Sequence, residues 1–268
     1  MTVEPVGLVI ALSASSLVWI LATRWLTVIV LSLLESDVAR KGAVLTVGRL
    51  PGRPETQHLA QLRGGDRRVA ELLLAQAVAD GWLMESAKEK GTFDVFEPRE
   101  DASPDAARLK RHLGHRPNRA KLHEAALHAA VELRSAREQA LEQAGMRRPS
   151  AHHAVAVAAG LFSAAAFTFA FAEFWEMAAK NPLAEKFVLG SAVLFALAMV
   201  GILATLPRKT TLAEAYESWF MDATPGVQES AAEGSLSTTR DVSLAVAAVG
   251  LDGLRGKRFE SLRGSSEA

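Results

Sequence analysis

Histidine is the residue type with the clearest potential for chemistry in this sequence. All seven histidines lie in residues 58–153, and imidazole is a common metal ligand and general base. His112 and His115 are three residues apart at a predicted helix end, whereas His123 and His128 are five apart and point to different helix faces. No H-E-x-x-H pair or carboxylate-flanked ligand set accompanies them. The spacing therefore predicts no metal site and no cofactor.

Nucleophilic and phosphate-binding chemistry has no better support. The chain has no cysteine, which excludes a disulfide scaffold, a thiolate zinc site, an iron–sulfur cluster and a cysteine nucleophile. It also lacks a P-loop, a dinucleotide-binding glycine pattern, a kinase signature and a G-x-S-x-G elbow. Glu173 and Glu176 bracket Trp175 at the end of an apolar segment, where an interfacial anchor explains them better than proton transfer. The sequence predicts that the protein is not an enzyme.

Composition narrows the class of protein. The chain has 268 residues, of which 49% are apolar and 22% are charged, which excludes a disordered polymer and a collagen. Its 30 Lys and Arg balance 30 Asp and Glu, so no overall basic field attracts it to nucleic acid or acidic lipid. Any electrostatic attraction must be local.

Three apolar segments predict transmembrane helices, because a span needs about 20 mostly apolar residues. Residues 6–34 are interrupted only by Arg24, and we predict a span at 6–23 with the rest of 1–34 lying at the interface or continuing as a tilted helix. A cleaved signal peptide is the alternative, but the first five residues contain no Lys or Arg. Residues 154–174 and 187–206 predict a transmembrane hairpin; a buried hairpin of a soluble protein is the alternative.

Lys and Arg in the short flanks predict the orientation, because they collect on the cytoplasmic side. They follow the first span, precede the second and follow the third, whereas the 175–186 loop has only two. We expect the N-terminus and this loop outside, and residues 35–150 and 207–268 in the cytoplasm. Five residues are predicted membrane-interface anchors: Arg24, Trp25, Trp175, Arg208 and Lys209.

Residues 35–54 form a Gly- and Pro-containing linker, and 55–150 a cytoplasmic domain. Two helices separated by Gly64 and Gly65 precede two short strands and further helices. This order is that of a winged-helix domain. A long helix over 119–145, acting as a stalk, carries an Ala-rich heptad seam that predicts either intramolecular packing, which we favour, or a homo-oligomer contact.

The C-terminal region 207–268 begins with a predicted helix. The composition of 224–239 predicts a linker, and residues 241–254 form a short apolar docking segment. That segment is too short to cross a membrane. Packing onto the cytoplasmic domain and binding to the membrane surface both remain open for it.

A DNA-reading role is not favoured by the winged-helix order alone. A recognition helix needs polar and basic residues along one exposed face, and here two arginines at the helix start are followed by acidic and apolar residues. Two lysines lie in the turn between the strands. The resulting candidate interaction surface comprises Arg67, Arg68, Lys88 and Lys90.

The run LAQLRGGDRRVAELLLAQAVADGWL over 59–83 is similar to a motif in a family of uncharacterised bacterial small membrane proteins. The family has an L-x-G-G-x-x-R-like turn, an Ala-rich helix and a G-(L/W)-L strand entry, followed by a transmembrane hairpin. The resemblance spans roughly 55–255, although this chain lacks the Cys- and Gly-rich tail of many relatives. The matching residues, for which the motif implies a structural role, are Leu62, Gly64, Gly65, Arg68, Gly81 and Leu83.

The sequence therefore predicts a mainly α membrane protein with three transmembrane helices and a small cytoplasmic α+β winged-helix-like domain. We expect an integral protein of the bacterial inner membrane that acts as a protein–protein interaction or regulatory module. Its expected partners are the lipid bilayer and a cytoplasmic protein. A membrane-bound DNA-binding transcription regulator is the alternative.

Overall fold

The structure is a computed structural model that describes residues 5–36, 44–98, 104–178, 193, 195–198, 201 and 208–263. The described residues are mainly helical and form two compact units. Unit 1 takes its residues from 1–38 and 148–208, and unit 2 from 39–147 and 209–268. The helices are α1 Pro5–Ser36, α2 Glu55–Ala79, α3 Pro104–His112, α4 Arg119–Glu132, α5 Arg134–Gln143, α6 Ser150–Ala178, α7 Thr211–Ala223, α8 Pro225–Glu233, α9 Thr239–Val249 and α10 Lys257–Glu260.

In unit 1, α1 packs against α6 through polar and small side chains. Thr23 and Thr27 are buried in α1, and the Ser163 hydroxyl of α6 lies 2.7 Å from Thr23 Oγ1 and accepts a 2.9 Å hydrogen bond from Trp19 Nε1. The Thr27 hydroxyl donates a 2.8 Å hydrogen bond to the Arg24 carbonyl of the same helix. Interfaces of this kind are typical of helices packed in lipid, where hydroxyl groups bond across helices.

The outward side of α1 is apolar. Leu17, Val18 and Leu33 are 58%, 65% and 65% exposed, whereas Thr23 and Thr27 are 3% and 0% exposed. This polarity is the reverse of a helix in water, whose apolar face turns inward. The 20-residue stretch Ala14–Leu33 has a mean hydropathy of 1.8 and is long and apolar enough to cross a membrane.

The predicted spans map unevenly onto the described residues. The helix α1 continues through Arg24, which is exposed, to Ser36, and α6 contains the second predicted span. Of the third, 187–206, only residues 193, 195–198 and 201 are described, and they are helical. The rest of that span, most of the 175–186 loop, residues 37–43 of the linker and the Trp175 side chain lie outside what the structure describes.

Unit 2 is built on α2, which folds back on itself. Gly65 has φ 63° and ψ −155°, so the helix is interrupted there as the Gly-Gly pair predicts. Arg53, just before α2, forms an ion pair with Asp80, just after it. The two halves of α2 must therefore double back, since a straight helix of 25 residues would separate these side chains by about 37 Å. Fourteen of its 25 residues are buried, which makes α2 the centre of the unit.

The core of unit 2 joins segments from both sides of α6. The second half of α2 packs with α4 and α9 through Leu72, Leu122 and Val246. Its first half packs with α7 through Leu59, Tyr216 and Phe220. The predicted docking segment 241–254 is thus largely α9 and a following 3₁₀ turn, Leu251–Gly253, inside this core. Residues 209–263 and 44–147 are one compact unit.

A small antiparallel hairpin follows α2. Strands β1, Leu83–Glu85, and β2, Phe93–Val95, pair with Leu83 opposite Val95 and Glu85 opposite Phe93. Thr92 also bridges Asn118 at the N-cap of α4, and the Phe93 N–H donates to the Pro117 carbonyl at 3.0 Å. These bonds attach the hairpin to the start of α4.

The predicted stalk helix 119–145 is wrong as one helix. It breaks at Leu133, where φ is −105° and ψ is 10°, into α4 and α5. Buried Arg137 in α5 donates to the Ala130 carbonyl, one of the last carbonyls of α4, and at 3.4 Å to Gln61 Oε1. The first half of the Ala-rich seam packs inside unit 2, but Ala136 in its second half is exposed, so the seam is not continuous.

The chain leaves and re-enters unit 2 at one place. Arg147 and Lys209 form an antiparallel bridge. The Thr210 N–H donates to the Met146 carbonyl at 3.3 Å, and the Thr210 hydroxyl donates to the Gly145 carbonyl at 2.7 Å. Residues 148–208 are therefore an insertion between neighbouring positions of unit 2.

Candidate interaction surface

The Gly-Gly motif forms the tight turn between the two halves of α2. Gly65 occupies a region of positive φ that is essentially restricted to glycine. At Gly64, an added Cβ would lie 2.7 Å from Arg68 Cβ, so the small residue there lets the arginine fold across the turn. Leu62 and Leu83 are buried, and Gly81 has φ 76° just beyond α2. The motif residues therefore shape and fill unit 2.

Arg68 joins this turn to the end of α9. Its Nη1 donates to the Val246 carbonyl at 3.3 Å, and it lies so close to Gly250 that a Cβ there would come within 1.7 Å of Nη1. Glu71, 3.7 Å from the same Nη1, accepts the Leu251 N–H at 3.2 Å. The Val246 carbonyl also accepts the Gly250 N–H at 2.9 Å, so Arg68 is a second donor to it, and Glu71 accepts an N–H just beyond the end of α9. The L-x-G-G-x-x-R motif thus provides, through Arg68, a binding site for the C-terminal segment of the same chain.

We expect Arg68→Ala to lower the free energy of unfolding by about 1.5–3 kcal/mol, because a charge-assisted hydrogen bond to a buried helix end is lost. Arg67→Ala is the matched control, since the Arg67 side chain is 84% exposed and its one ion pair among the described residues is with Glu71 at 3.3 Å; it should cost no more than about 0.5 kcal/mol. Denaturant unfolding of the purified protein measures both. Equal losses in the two variants would contradict the role of Arg68 in binding the end of α9.

The four residues of the candidate interaction surface differ in their exposure. Arg67 is exposed on α2, whereas Arg68 turns inward to α9. Lys88 and Lys90 are exposed in the turn of the hairpin. Only three of these cations therefore face solvent.

Two apolar side chains are exposed on the outer face of the hairpin. Met84 lies opposite Asp94 in the strand register, and the Phe96 N–H pairs with the Trp82 carbonyl, so alternation places Met84, Asp94 and Phe96 on the same face. Met84 and Phe96 are 49% and 48% exposed. Met84 and Phe96 therefore expose apolar surface on the face that carries the Asp94 carboxylate.

A polar cluster lies inside unit 2 where α2, α3 and α5 meet. His58 Nδ1 is buried, and no described residue forms a hydrogen bond with it. Burial lowers the pKa of His58, and the nearby Arg137 charge lowers it further. Burial also lowers the pKa of the Arg137 guanidinium, although Asp66 and Asp105 oppose that effect. The cluster is internal and fixes the packing of these helices, so it does not form an open site.

The histidines of α3 and α4 are partly brought together. His112 Nε2 lies 2.7 Å from Glu132 Oε1, and the His112 and His128 rings stack with centroids 6.0 Å apart. His123 Nε2 lies 3.1 Å from the Leu262 carbonyl. Among the described residues, no group of three or more His, Cys, Asp or Glu has the arrangement of a metal site.

The role of Arg68 in binding α9 was missed by sequence reasoning. The position of an arginine three residues after a Gly-Gly pair indicates that its side chain faces the turn. It does not indicate the helix end that the arginine binds, which lies 178 residues further along the chain. The apolar segment 241–254 was the available signal for that partner. No family model matches the chain, and no curated protein or solved structure matches it either.

Proposed function

We propose that the protein is a multi-pass integral protein of the bacterial inner membrane that holds unit 2 in the cytoplasm as a non-catalytic protein-interaction module. The carrying observation is the reversed polarity of α1, which buries Thr23 and Thr27 against α6 and exposes leucine and valine. Such a helix is stable where the solvent is hydrocarbon. A resemblance of the 59–83 motif to uncharacterised bacterial membrane proteins supports the same reading.

The shared core of unit 2 supports the transmembrane hairpin. Residues 44–147 and 209–263 pack together, so both must lie on the same side of a bilayer. The segment 148–208 between them must then cross the bilayer an even number of times or not at all. Two spans, 154–174 and 187–206, satisfy this condition, and α1 supplies a third.

The interaction role is supported by the hairpin of unit 2. Met84 and Phe96 leave apolar surface exposed on the face that carries Asp94, whereas the interior of the unit is filled by its own side chains. A winged-helix-like arrangement with such a hairpin suits binding of another protein through its outer face. The DNA-binding alternative has less support, because residues 68–80 of α2 include no exposed side chain that could reach a base edge.

We expect single-cysteine labelling to give the proposed topology, and the chain suits this method because it has no native cysteine. In intact spheroplasts, a membrane-impermeant maleimide should label Asn181→Cys but not Ala87→Cys, which lies in the exposed hairpin turn. After lysis both should react. Labelling of Ala87→Cys before lysis would mean that the orientation is the reverse of the one proposed. Release of the protein by alkaline carbonate would mean that it is not inserted in the membrane.

Photo-crosslinking tests the interaction module. A photoreactive residue at Met84 in the full-length protein should capture one cytoplasmic protein in near-stoichiometric amount. The matched position is Ala232 in α8, which is also exposed but far from the hairpin in sequence, and it should capture none. Equal crosslinking at both positions, or crosslinking to nucleic acid at Met84, would contradict the proposal.

A further inference from the structure

One stretch of unit 2 is strongly and uniformly basic. Residues 106–123 contain six Lys or Arg and three His but no Asp or Glu. The stretch covers the last turns of α3, the loop after it and the first turn of α4. By contrast, residues 210–239 contain five carboxylates and no Lys or Arg. The zero net charge of the chain therefore hides a separation of charge within unit 2.

Half of these cations are neutralised by neighbours and half are not. Arg108 pairs with Asp105, Lys110 with Glu97 and Arg116 with Asp94. Within the described part of the chain, no ion pair involves the other three, which are Arg111, Arg119 and Lys121. Of these, Arg111 and Lys121 are exposed.

The C-terminal segment adds further cations at the same place. Phe259 and Leu262 pack in one core with Leu122 of α4, and the Leu262 carbonyl lies 3.1 Å from His123 Nε2. This packing brings Leu262, which follows α10, to the beginning of α4, whereas the Arg255 N–H donates to the Ala231 carbonyl of α8 at 2.7 Å. Lys257 and Arg258 in α10 are exposed. We call the combined surface the basic surface; it comprises Arg111, Arg119, Lys121, Lys257 and Arg258.

We propose that the basic surface binds the anionic lipid headgroups of the membrane that holds the chain. This inference rests on the proposed function, which puts unit 2 at the cytoplasmic leaflet, where anionic lipids are concentrated. Each Lys or Arg near such a surface strengthens binding about fivefold. A domain tethered to the bilayer is also exposed to lipid headgroups at a high effective concentration. A few cations are therefore enough to keep the domain bound to the membrane surface.

The attachment of unit 2 to the membrane favours binding of lipid headgroups over binding of other polyanions. Nucleic acid presents phosphates of similar charge, but it must be captured from solution, and the buried face of α2 offers no base readout to add to phosphate contacts. Lipid phosphates lie beside the tethered domain at all times. Nucleic acid and a second copy of the chain are therefore alternative occupants that the test must separate.

The test uses the full-length protein in nanodiscs of phosphatidylcholine, with or without phosphatidylglycerol. An environment-sensitive fluorophore is attached at Ala120→Cys, an exposed position between Arg119 and Lys121. The matched probe is Ala232→Cys among the carboxylates of α8. We expect lipid-borne quenchers to quench the probe at 120 only when phosphatidylglycerol is present, and the probe at 232 in neither bilayer.

Charge reversal then identifies the residues. Arg111→Glu with Lys121→Glu should reduce the docked fraction at least about tenfold, whereas Arg67→Glu with Arg240→Glu, an equal charge change at exposed positions elsewhere, should change it little. High salt should release the docked domain, because the screening length falls to about 3 Å at 1 M. Unchanged unfolding curves for both double variants exclude misfolding as the cause.

Three outcomes would overturn the inference, and they differ from failure of the proposed function. Quenching that does not depend on phosphatidylglycerol rejects headgroup recognition. Protection of the probe at 120 by added duplex DNA or RNA in neutral nanodiscs assigns the surface to nucleic acid. Protection that rises with protein copies per disc assigns it to self-association. A protein that fails to insert into either nanodisc rejects the proposed function itself.

Discussion

A chain in which residues 148–208 are replaced by an Asn-Gly turn is expected to fold as a water-soluble unit 2. Arg147 and Lys209 are antiparallel bridge partners, and two residues in a type I′ turn join such partners without strain. Of the excised segment, the residues that the structure describes contribute no side chain to either core of unit 2. Circular dichroism should show helix, and denaturant unfolding should be one cooperative transition without detergent.

The matched fragment 44–147 lacks α7 to α10 and should not fold. It loses the buried side chains of Tyr216, Phe220, Leu244, Val246 and Leu251. At about 1.5–3 kcal/mol each, their burial amounts to about 8–15 kcal/mol, comparable with the whole stability of a typical domain at 5–15 kcal/mol. Cooperative unfolding of this fragment alone, or aggregation of the joined chain, would show that the two segments do not share one core.

Gly65→Ala is expected to lower the free energy of unfolding of unit 2 by about 1–3 kcal/mol. With φ 63° and ψ −155°, position 65 lies in a region that alanine enters only with backbone strain. No atom lies within 4 Å of the added Cβ, so the loss comes from the backbone alone. The change should also separate the two halves of α2 and weaken the Arg53 contact with Asp80. Thermal unfolding of the purified protein measures the loss.

Gly114→Ala provides the control for this substitution. Gly114, in the loop after α3, also has nothing within 4 Å of an added Cβ, and its φ lies outside the positive region. Reduced freedom of the unfolded chain should make this change neutral or stabilising by about 0.4–1 kcal/mol. Equal losses at positions 65 and 114 would mean that the Gly-Gly turn is not strained by a side chain.

Local signals in the sequence predicted the elements that are bounded by turn-forming glycines. Gly64 and Gly65 marked the turn within α2, and Gly91 marked the hairpin that joins β1 and β2. The residues that begin and end α8 also gave a local signal. Pro225 lies in the first turn of this helix, and Gly234 has the left-handed conformation directly after it. The composition of 224–239 obscured them and favoured a linker. Composition failed there because a short helix needs only one buried residue, Ala231, to dock.

Features fixed by contacts between distant residues could not be predicted. A heptad pattern favours one helix over 119–145, but the break at Leu133 depends on Arg137 reaching Gln61 and the Ala130 carbonyl. The sequence also does not distinguish Arg67 from Arg68, because the two are adjacent and alike, yet Arg68 is the one that binds α9. The basic surface joins the start of α4 to α10 through the contact between His123 and Leu262, and no periodicity relates segments so far apart.

The insertion between Arg147 and Lys209 also sets an order of events during synthesis. The ribosome makes the first half of unit 2 before the segment 148–208, and 116 residues separate Arg147 from Arg263, the last residue described. At about 5–20 residues per second, the first half waits roughly 6–23 s for its missing helices. During that time the α9-binding face of α2 is uncovered and available to chaperones or proteases. Completion of unit 2 therefore requires that residues 148–208 have been made and that Arg147 and Lys209 lie on the same side of any membrane that this segment crosses. A chain inserted otherwise would keep the α9-binding face of α2 exposed.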